Sequence, residues 1–272
     1  MSTARRLAPR TALFLPASNA RAIAKARTLD ADLVILDLED AVRPEDKDAA
    51  RAAAVAAARE GFGPRLCAIR LNGSDRAEHA ADVAAVAESV CDFAVLPKVE
   101  SAAEAAQVAG ALGKPLLAMI ETPLGVLAAA EIAAVPGVAG LIAGTNDLRA
   151  ELGVPAGAGR ENVGLALQMI LLAARAGGGW AIDGVYNALD DLDGLAEECR
   201  QGRLLGFDGK SLIHPNQLPV AAAAFGPSDD ELTEARELVA AFTGGAERFR
   251  GRMIEAMHVE QARALLERAE LD

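Results

Sequence analysis

The chain has 272 residues, of which 52% are hydrophobic and 3% aromatic, and its formal net charge is −12. This length suits a single α/β barrel, and the composition provides a large core of aliphatic side chains. The acidic balance argues against non-specific binding to nucleic acid or to anionic membrane surfaces.

Eight short apolar runs alternate with alanine-rich helical segments along most of the chain. This alternation predicts parallel strands joined by helices, and the count of eight favours a (β/α)8 TIM barrel. A doubly wound open sheet is the alternative, although no glycine fingerprint follows the first strand. The clearest helix is predicted over 44–60, with Pro44 in its first turn and Gly61 just past its end. The predicted strands cover 12–16, 32–37, 66–71, 92–97, 116–121, 140–144, 180–184 and 206–210.

The pattern changes near residue 225, where strand-like runs stop. Two further helices are predicted over 231–242 and 255–270, joined by a glycine-rich stretch. The first 225 residues already contain all eight predicted strands. We therefore predict a TIM-barrel catalytic domain over 1–225 and a C-terminal helical extension, or lid, over 226–272.

The last predicted helix carries a narrow apolar stripe. Val259, Ala262, Leu266 and Ala269 recur at spacings of three and four residues, which places them on one helix face. A helix beyond a complete barrel needs a surface that covers such a stripe. We expect it to pack on the barrel or on a neighbouring subunit.

The sequence shows no sign of export or membrane insertion. Arg5 and Arg6 precede no long apolar run, so no secretory signal is expected. No stretch approaches the roughly 18–20 apolar residues that cross a bilayer. The three cysteines are an odd number without metal-like spacing and fit a reducing compartment. We therefore expect a soluble, cytoplasmic protein.

Charged side chains follow the predicted strands at the ends where barrels of this kind carry their active sites. Random surface charge would be scattered over both ends, so this concentration predicts one site at the C-terminal rim. His214, in a turn before a proline, is interpreted as a structural hydrogen-bonding residue. The charged residues at the strand ends are Asp37, Glu39, Asp40, Arg70, Lys98, Glu121, Asp147, Asp183 and Lys210.

Glu121 and Asp147 are the candidate metal ligands. Each follows an apolar run of the kind that forms a strand buried on both faces. A carboxylate in that position is costly to desolvate unless positive charge compensates it. Two carboxylates, water and a bidentate substrate would complete the octahedral shell of Mg²⁺. A salt bridge to Lys98 or Arg70 is the alternative.

Three basic residues at the rim have competing interpretations. Arg70 could bind a substrate carboxylate through two parallel hydrogen bonds, or it could be a structural partner of a neighbouring strand-end acid, Asp37 or Glu39. Lys98 and Lys210 could form a Schiff base with a carbonyl substrate. Ion pairing with the strand-end acids is the favoured interpretation of both lysines.

A series of motifs runs through the chain in a fixed order: LDLEDAV, IRLN, VLPKVES, IETPLGVL, GTNDL, AIDGV and GFDGKSLIHPNQ. In this order they resemble the HpcH/HpaI aldolase and citrate lyase β-subunit family, in its branch of CoA-ester lyases. The resemblance covers about residues 10–270. It implies a TIM barrel with a C-terminal lid segment, assembled as a homotrimer or hexamer. It also implies Mg²⁺, with Mn²⁺ as a substitute, and CoA as part of the substrate.

The resemblance implies roles for residues around the metal. Glu121 and Asp147 would hold Mg²⁺, and Arg70 would hold a small oxoacid or its hydroxyacyl precursor. Asn146 and Asp147 fall where malyl-CoA lyases contact the substrate. Arg70 is therefore a catalytic and substrate-binding candidate, and Asn146 and Asp147 are substrate-binding candidates.

Further roles follow from the same resemblance at the edges of the site. Phe14 and Lys25 fall where malyl-CoA lyases contact CoA. The first-loop arginine of those enzymes is replaced by Asn19, with Arg21 close by. Glu255 stands where malyl-CoA lyase-like members place a catalytic aspartate. Its carboxylate, from a neighbouring chain, is the predicted proton shuttle.

The implied activity is Mg-dependent carbon–carbon cleavage, or its reverse. A 3-hydroxyacyl-CoA thioester such as malyl-CoA or citramalyl-CoA would give an acyl-CoA and a small 2-oxoacid. The alternatives are a malyl-CoA thioesterase and a citrate lyase β-like subunit within a larger complex. The expected partners are these small molecules and further copies of the chain, with neither nucleic acid nor membrane.

Overall fold

A computed structural model describes residues 7–271 of the chain. Arg5 and Arg6, on which the expectation about a secretory signal rests, lie outside the described residues. Eight parallel strands follow one another in chain order, and the eighth pairs with the first, so the sheet closes into a barrel. The prediction of a (β/α)8 barrel is confirmed, and the open-sheet alternative is wrong.

The strands lie close to their predicted positions, except for the last. The prediction that the eighth strand starts at residue 206 is wrong, because Gly206 has a φ of 110° and ends the preceding helix. The strand begins three residues later, at Gly209. The strands are β1 (Thr11–Pro16), β2 (Leu33–Asp37), β3 (Leu66–Arg70), β4 (Phe93–Leu96), β5 (Leu116–Ile120), β6 (Val138–Ala143), β7 (Trp180–Asp183) and β8 (Gly209–Leu212).

Helices cover the outside of the barrel. The helix predicted over 44–60 is present as a short 3₁₀ turn, Pro44–Asp46, that leads into an α-helix ending at Glu60. The barrel helices are α1 (Ala20–Ala26), α2 (Lys47–Glu60), α3 (His79–Glu88), α4 (Ala102–Leu112), α5 (Pro123–Ala133), α6 (Thr145–Glu151), α7 (Gly164–Ala176), α8 (Leu192–Leu205) and α9 (Leu218–Phe225).

Side chains along each strand alternate between the barrel interior and the helix layer, because neighbours on a strand point to opposite faces. The larger apolar core lies between strands and helices. Asp37, Arg70 and Glu121 each lie two residues beyond an interior side chain, so they face the interior at its C-terminal end. The interior cluster consists of Ala12, Leu33, Ile35, Ala68, Phe93, Val95, Leu117, Met119, Ile142 and Ile182.

The C-terminal segment forms a small unit of two helices and a hairpin. Helix α10 (Asp229–Ala241) is followed by the antiparallel strands β9 (Glu247–Phe249) and β10 (Arg252–Ile254), and then by α11 (Ala256–Leu271). Both helices were predicted, whereas the hairpin within the glycine-rich stretch was not. The division of the chain at residue 225 stays a prediction.

The apolar stripe of the last helix is covered within its own chain. Val259 and Ala262 are buried in a cluster with Leu238 of α10 and Ile254 of β10. The expectation that the barrel or a neighbouring subunit covers the stripe is therefore wrong for these two residues. The far end of α11 does reach the barrel, where Arg268 donates to backbone carbonyls that precede β1 and β8.

The three cysteines, Cys67, Cys91 and Cys199, are all buried and unpaired. Burial raises the pKa of the Cys67 thiol to about 12 and that of the Cys199 thiol to about 11. None of the helices in residues 7–271 is both long and apolar enough to span a bilayer.

Candidate active site

A cavity of about 490 Å³ opens at the carboxyl ends of the barrel strands. This is the end at which the sequence placed the site, and Phe14 is among the apolar residues that line it. Most of the predicted site residues therefore meet in one place. The polar residues that line the cavity are Asp37, Asp40, Arg70, Glu121, Thr145, Asn146, Asp147 and Ser211.

Arg70 forms a two-point ion pair with Asp37 at the floor of the cavity. The two residues are register partners at the ends of β3 and β2, so their side chains lie side by side. Arg70 Nε donates to Asp37 Oδ1 and Nη2 donates to Oδ2, both at 2.7 Å. The guanidinium also lies 5.1 Å from the centre of the Phe14 ring. These contacts fix the plane of the guanidinium.

The third nitrogen of the Arg70 guanidinium faces a second acid. Nη1 lies 2.8 Å from Glu39 Oε2, which nevertheless accepts no well-aligned hydrogen bond from the described residues. Burial raises the pKa of Glu39, although the charge of Arg70 opposes this effect. Arg70 is thus a partner of both Asp37 and Glu39, and it also lines the cavity. Its role in substrate binding stays a prediction.

Glu121 is 2% exposed and forms no ion pair with the described residues. Its Oε1 accepts a hydrogen bond from the backbone N–H of Lys98 at 2.8 Å. Burial, together with the charge of Glu39, raises the pKa of Glu121 to about 8, although the backbone N–H of Lys98 and the charge of Arg70 oppose this effect. The nearby positive charge of Arg70 therefore only partly compensates this buried carboxylate.

Asp147 reaches the same cavity from the first turn of α6, and its charge also raises the pKa of Glu121. Its neighbour Asn146 is held by a reciprocal amide pair with Asn187. Asn187 Nδ2 donates to Asn146 Oδ1 at 2.7 Å, and Asn146 Nδ2 donates to Asn187 Oδ1 at 3.3 Å. This pair fixes the start of α6 against the loop that follows β7.

The residues present fit a divalent cation with oxygen ligands. Glu121 is a buried carboxylate that forms no direct ion pair with the described residues, and Asp147 supplies a second, half-buried carboxylate. The described residues contain no group of three or more His, Cys, Asp or Glu side chains placed to hold a metal. A site with two carboxylates suits Mg²⁺, which keeps several waters and binds through one or two carboxylates plus substrate oxygens.

Phe14 and Lys25, the two candidate CoA-binding residues, lie in different places. Phe14 lines the cavity, whereas Lys25 is exposed in the last turn of α1 and does not line it. Asn19, at the position of the family arginine, caps α1 by accepting a hydrogen bond from Ala22 N–H at 3.1 Å. The CoA-binding roles of Phe14 and Lys25 stay predictions.

Lys210 and Asp183 face away from the cavity. Ile182 of β7 and Ser211 of β8 face the barrel interior. Asp183 and Lys210 are their direct neighbours on these strands, so they point to the opposite face, toward α8. Lys210 is fully buried, and its Nζ donates to Asp183 Oδ2 at 3.1 Å and to Glu198 Oε1 at 2.8 Å. Their placement at the catalytic rim is therefore wrong, and Lys210 cannot meet a substrate as a Schiff base.

Glu255 does not line the cavity of its own chain. It is exposed just before α11, where its backbone N–H donates to His258 Nδ1 at 3.0 Å. The structure of the single chain therefore does not bring this carboxylate to the candidate site. Its catalytic role stays a prediction.

Ser211 is a polar cavity residue that the sequence interpretation missed. It is 1% exposed, lines the cavity, and its Oγ has no hydrogen-bond partner among the described residues. The alternation of side chains along β8 would have identified it. Ser211 pairs in register with Ala12 of β1, which faces the barrel interior, so Ser211 faces the interior as well.

A family model described as HpcH/HpaI aldolase/citrate lyase matches residues 10–215 of the chain. The chain belongs to this family. A second model, described as C-C bond lyase of the TIM-barrel fold, matches residues 162–272. The resemblance stated from the motifs is thereby confirmed.

Relatives of this HpcH/HpaI aldolase/citrate lyase family member cover almost the whole chain. A Cereibacter sphaeroides protein named (3S)-malyl-CoA thioesterase is 44% identical over 96% of this chain and 94% of its own. A Mycobacterium tuberculosis citrate lyase subunit beta-like protein is 38% identical over 94% of both chains. The crystal structure of CitE from M. tuberculosis in complex with magnesium, acetoacetate and coenzyme A superposes with a TM-score of 0.85. It is 37% identical, and the match covers 98% of this chain and 99% of that one.

Proposed function

We propose that the chain is a magnesium-dependent carbon–carbon lyase of CoA esters. It would cleave a 3-hydroxyacyl-CoA thioester such as malyl-CoA or citramalyl-CoA into an acyl-CoA and a small 2-oxoacid, or catalyse the reverse reaction. The observation that carries this proposal is the convergence of Glu121, Asp147 and Arg70 on one cavity. Two carboxylates suit a divalent cation, and a guanidinium suits the carboxylate of an oxoacid.

The relatives support the same ligand classes. The M. tuberculosis CitE structure holds magnesium, acetoacetate and coenzyme A, and another structure of a citrate lyase β subunit from that organism holds oxaloacetate and magnesium. By analogy, Glu121 and Asp147 would hold Mg²⁺ in this chain. When bound, the cation would act as a Lewis acid on the 2-hydroxy or 2-oxo carboxylate end of the substrate.

The chain's own residues would orient the substrate. The Arg70 guanidinium, fixed by Asp37 and stacked on Phe14, would neutralise the oxoacid carboxylate. The Asn146 side chain, held by Asn187, would contact the same end of the substrate. The backbone N–H groups of Thr145 and Asn146, in the first turn of α6, would support negative charge that develops during cleavage, whereas the Gly144 N–H donates to the Ile120 carbonyl at 3.0 Å.

The proton transfers follow from the bond that breaks. The proposed proton shuttle is the Glu255 carboxylate of a neighbouring chain, in an assembly where residues 226–272 serve as a lid. This carboxylate accepts the hydroxyl proton, the hydroxyl oxygen becomes the carbonyl oxygen of the oxoacid, and the electron pair of the broken C–C bond passes to the thioester enolate. The protonated Glu255 then returns the proton to the α-carbon of the enolate, which gives the acyl-CoA and restores the carboxylate.

Thioester hydrolysis is the second candidate, favoured by the 44% identity to a protein named (3S)-malyl-CoA thioesterase. The same cavity would bind malyl-CoA, with water attacking the thioester carbonyl. Malate and free CoA would then be the products, without any change in carbon–carbon bonding.

One assay separates the two reactions. Malyl-, citramalyl- and methylmalyl-CoA are incubated with the purified chain and Mg²⁺, and glyoxylate, pyruvate and free thiol are each quantified. Lyase activity releases oxoacid without thiol, whereas hydrolysis releases thiol without oxoacid. Turnover by the isolated chain would also show that no partner subunit is required. Absence of both products with all three substrates would contradict the proposal.

A further inference from the structure

Lys98 has an unusual backbone conformation at the edge of the cavity. Apart from glycine, only Lys98 and Arg250 have positive φ among residues 7–271, at 52° and 47°. A side chain disfavours this left-handed region, because its β-carbon approaches the following carbonyl. Contacts must offset the cost of this conformation, and Lys98 makes contacts through both its backbone and its side chain.

The backbone of Lys98 contacts the candidate metal ligand directly. Its N–H donates to Glu121 Oε1 at 2.8 Å, which is the one hydrogen bond that the described residues make to this carboxylate. The next amide, of Val99, donates to the carbonyl of Met119 at 3.2 Å. The left-handed turn after β4 thus brings two successive amides against the end of β5, one of them on Glu121.

The side chain of Lys98 points into the acidic rim. Its Nζ lies 3.3 Å from Glu39 Oε1, with 41% of the side chain exposed. Burial would lower the pKa of Lys98, but the charges of Glu39, Asp40 and Asp147 outweigh that effect and raise it. The ammonium is thus surrounded by carboxylates, one of which is the second candidate metal ligand.

We propose that Lys98 is a positioning residue with two opposed effects on the divalent-cation site. Its left-handed backbone directs an N–H at Glu121 Oε1 and leaves the other carboxylate oxygen for the cation. Its ammonium pairs with Glu39 Oε1 while Arg70 pairs with Oε2, so both oxygens of Glu39 are kept from the site, and the ammonium also repels the cation. The inference rests on the proposed function, because it takes Glu121 and Asp147 as metal ligands.

The two effects are separated by two uncharged substitutions in the full chain. Lys98→Met keeps an unbranched side chain and removes the charge, so Mn²⁺ should bind about threefold to tenfold more tightly than to the wild type. Lys98→Val is also uncharged, but its branched β-carbon opposes positive φ and displaces the N–H from Glu121. Loss of that charge-assisted hydrogen bond should weaken Mn²⁺ binding about tenfold or more relative to Lys98→Met.

Mn²⁺ affinity is measured from the electron paramagnetic resonance signal of the free ion, with Lys98→Arg as the charge-retaining control. Equal affinity of the Val and Met variants would overturn the backbone effect, and no gain in Lys98→Met would overturn the ammonium effect. Failure of the wild type to bind Mn²⁺ would instead overturn the proposed function and this inference with it. If Lys98→Val does not fold, Lys98→Gly and Lys98→Ala replace the comparison, and Gly should bind more tightly.

Discussion

Gly144 lies directly against the carboxylate of Glu121. A β-carbon on Gly144 would come within 2.3 Å of both Glu121 Cβ and Glu121 Oε2. Gly144→Ala should therefore displace the carboxylate, cost about 1–3 kcal/mol of stability and abolish tight Mn²⁺ binding. Metal titration and urea unfolding measure both effects. Gly110→Ala in α4, where a β-carbon meets nothing within 4 Å, is the control and should bind Mn²⁺ normally.

Glu121 should make the stability of the metal-free chain depend on pH. Its folded-state pKa is about 8, against an ordinary value of 4.5. Between these values the folded chain binds the additional proton, so its free energy of unfolding should fall as pH rises through this window. Glu121→Gln should remove that part of the slope. Urea unfolding from pH 5 to 8 in EDTA tests this, and parallel curves for both proteins would contradict it.

Arg70→Lys should impair substrate binding although it preserves the charge. Lysine cannot reproduce the two-point pair with Asp37 and the contact with Glu39 together. A charge-assisted hydrogen bond contributes about 1.5–3 kcal/mol, so pyruvate should bind about tenfold to a hundredfold more weakly. Calorimetric titration in the presence of Mg²⁺ measures this affinity. Arg149→Lys, which alters an arginine outside this cavity, should leave it unchanged.

Lys210→Met should damage stability rather than chemistry. The substitution leaves Asp183 and Glu198 without one of their buried partners, and breaking a buried ion pair costs about 3–5 kcal/mol. Thermal unfolding should show the loss, whereas the surviving folded fraction should bind Mn²⁺ normally. Borohydride reduction with pyruvate should give no covalent adduct in the wild type. An adduct at Lys210 would restore the Schiff-base interpretation.

Glu255→Gln should lower turnover about 10²–10⁴-fold, the usual contribution of general acid–base catalysis, without changing Mn²⁺ affinity. If the carboxylate acts on a neighbouring chain, mixing this variant with inactive Glu121→Gln should recover activity. In mixed assemblies an intact metal site then meets an intact Glu255. Glu260→Gln, an exposed acid on the same helix, is the control. Full activity of Glu255→Gln alone would exclude the role.

The barrel was predictable because eight apolar strands leave little choice of architecture. Arg70 and Glu121 were predictable as cavity residues because strand ends deliver side chains to one rim. The errors at Asp183 and Lys210 arose from treating every strand-end charge alike. The alternation of side chains along each strand would have corrected both: Ile182 faces the barrel interior, so its neighbour Asp183 must face the helices, and the same reasoning applies to Lys210.

Other features depend on distances that sequence patterns do not contain. The left-handed φ of Lys98 carries no local signal, since lysine is an ordinary residue for most turns. The β9–β10 hairpin lies in a glycine-rich stretch too short for a clear period. The packing of Val259 and Ala262 on α10 required knowledge of the angle between two helices. Tertiary contacts decided all three.

The folded chain should react very slowly with a colorimetric disulfide reagent, because such reagents react with exposed thiolates. Cys67, Cys91 and Cys199 are buried, and burial raises the pKa of each thiol. The thiol of released CoA is open and reacts at once. A single absorbance trace would therefore count hydrolytic turnovers against a nearly flat protein background. When the chain unfolds, three thiols per molecule become available together. The rate at which the same reagent is consumed then measures the rate of unfolding.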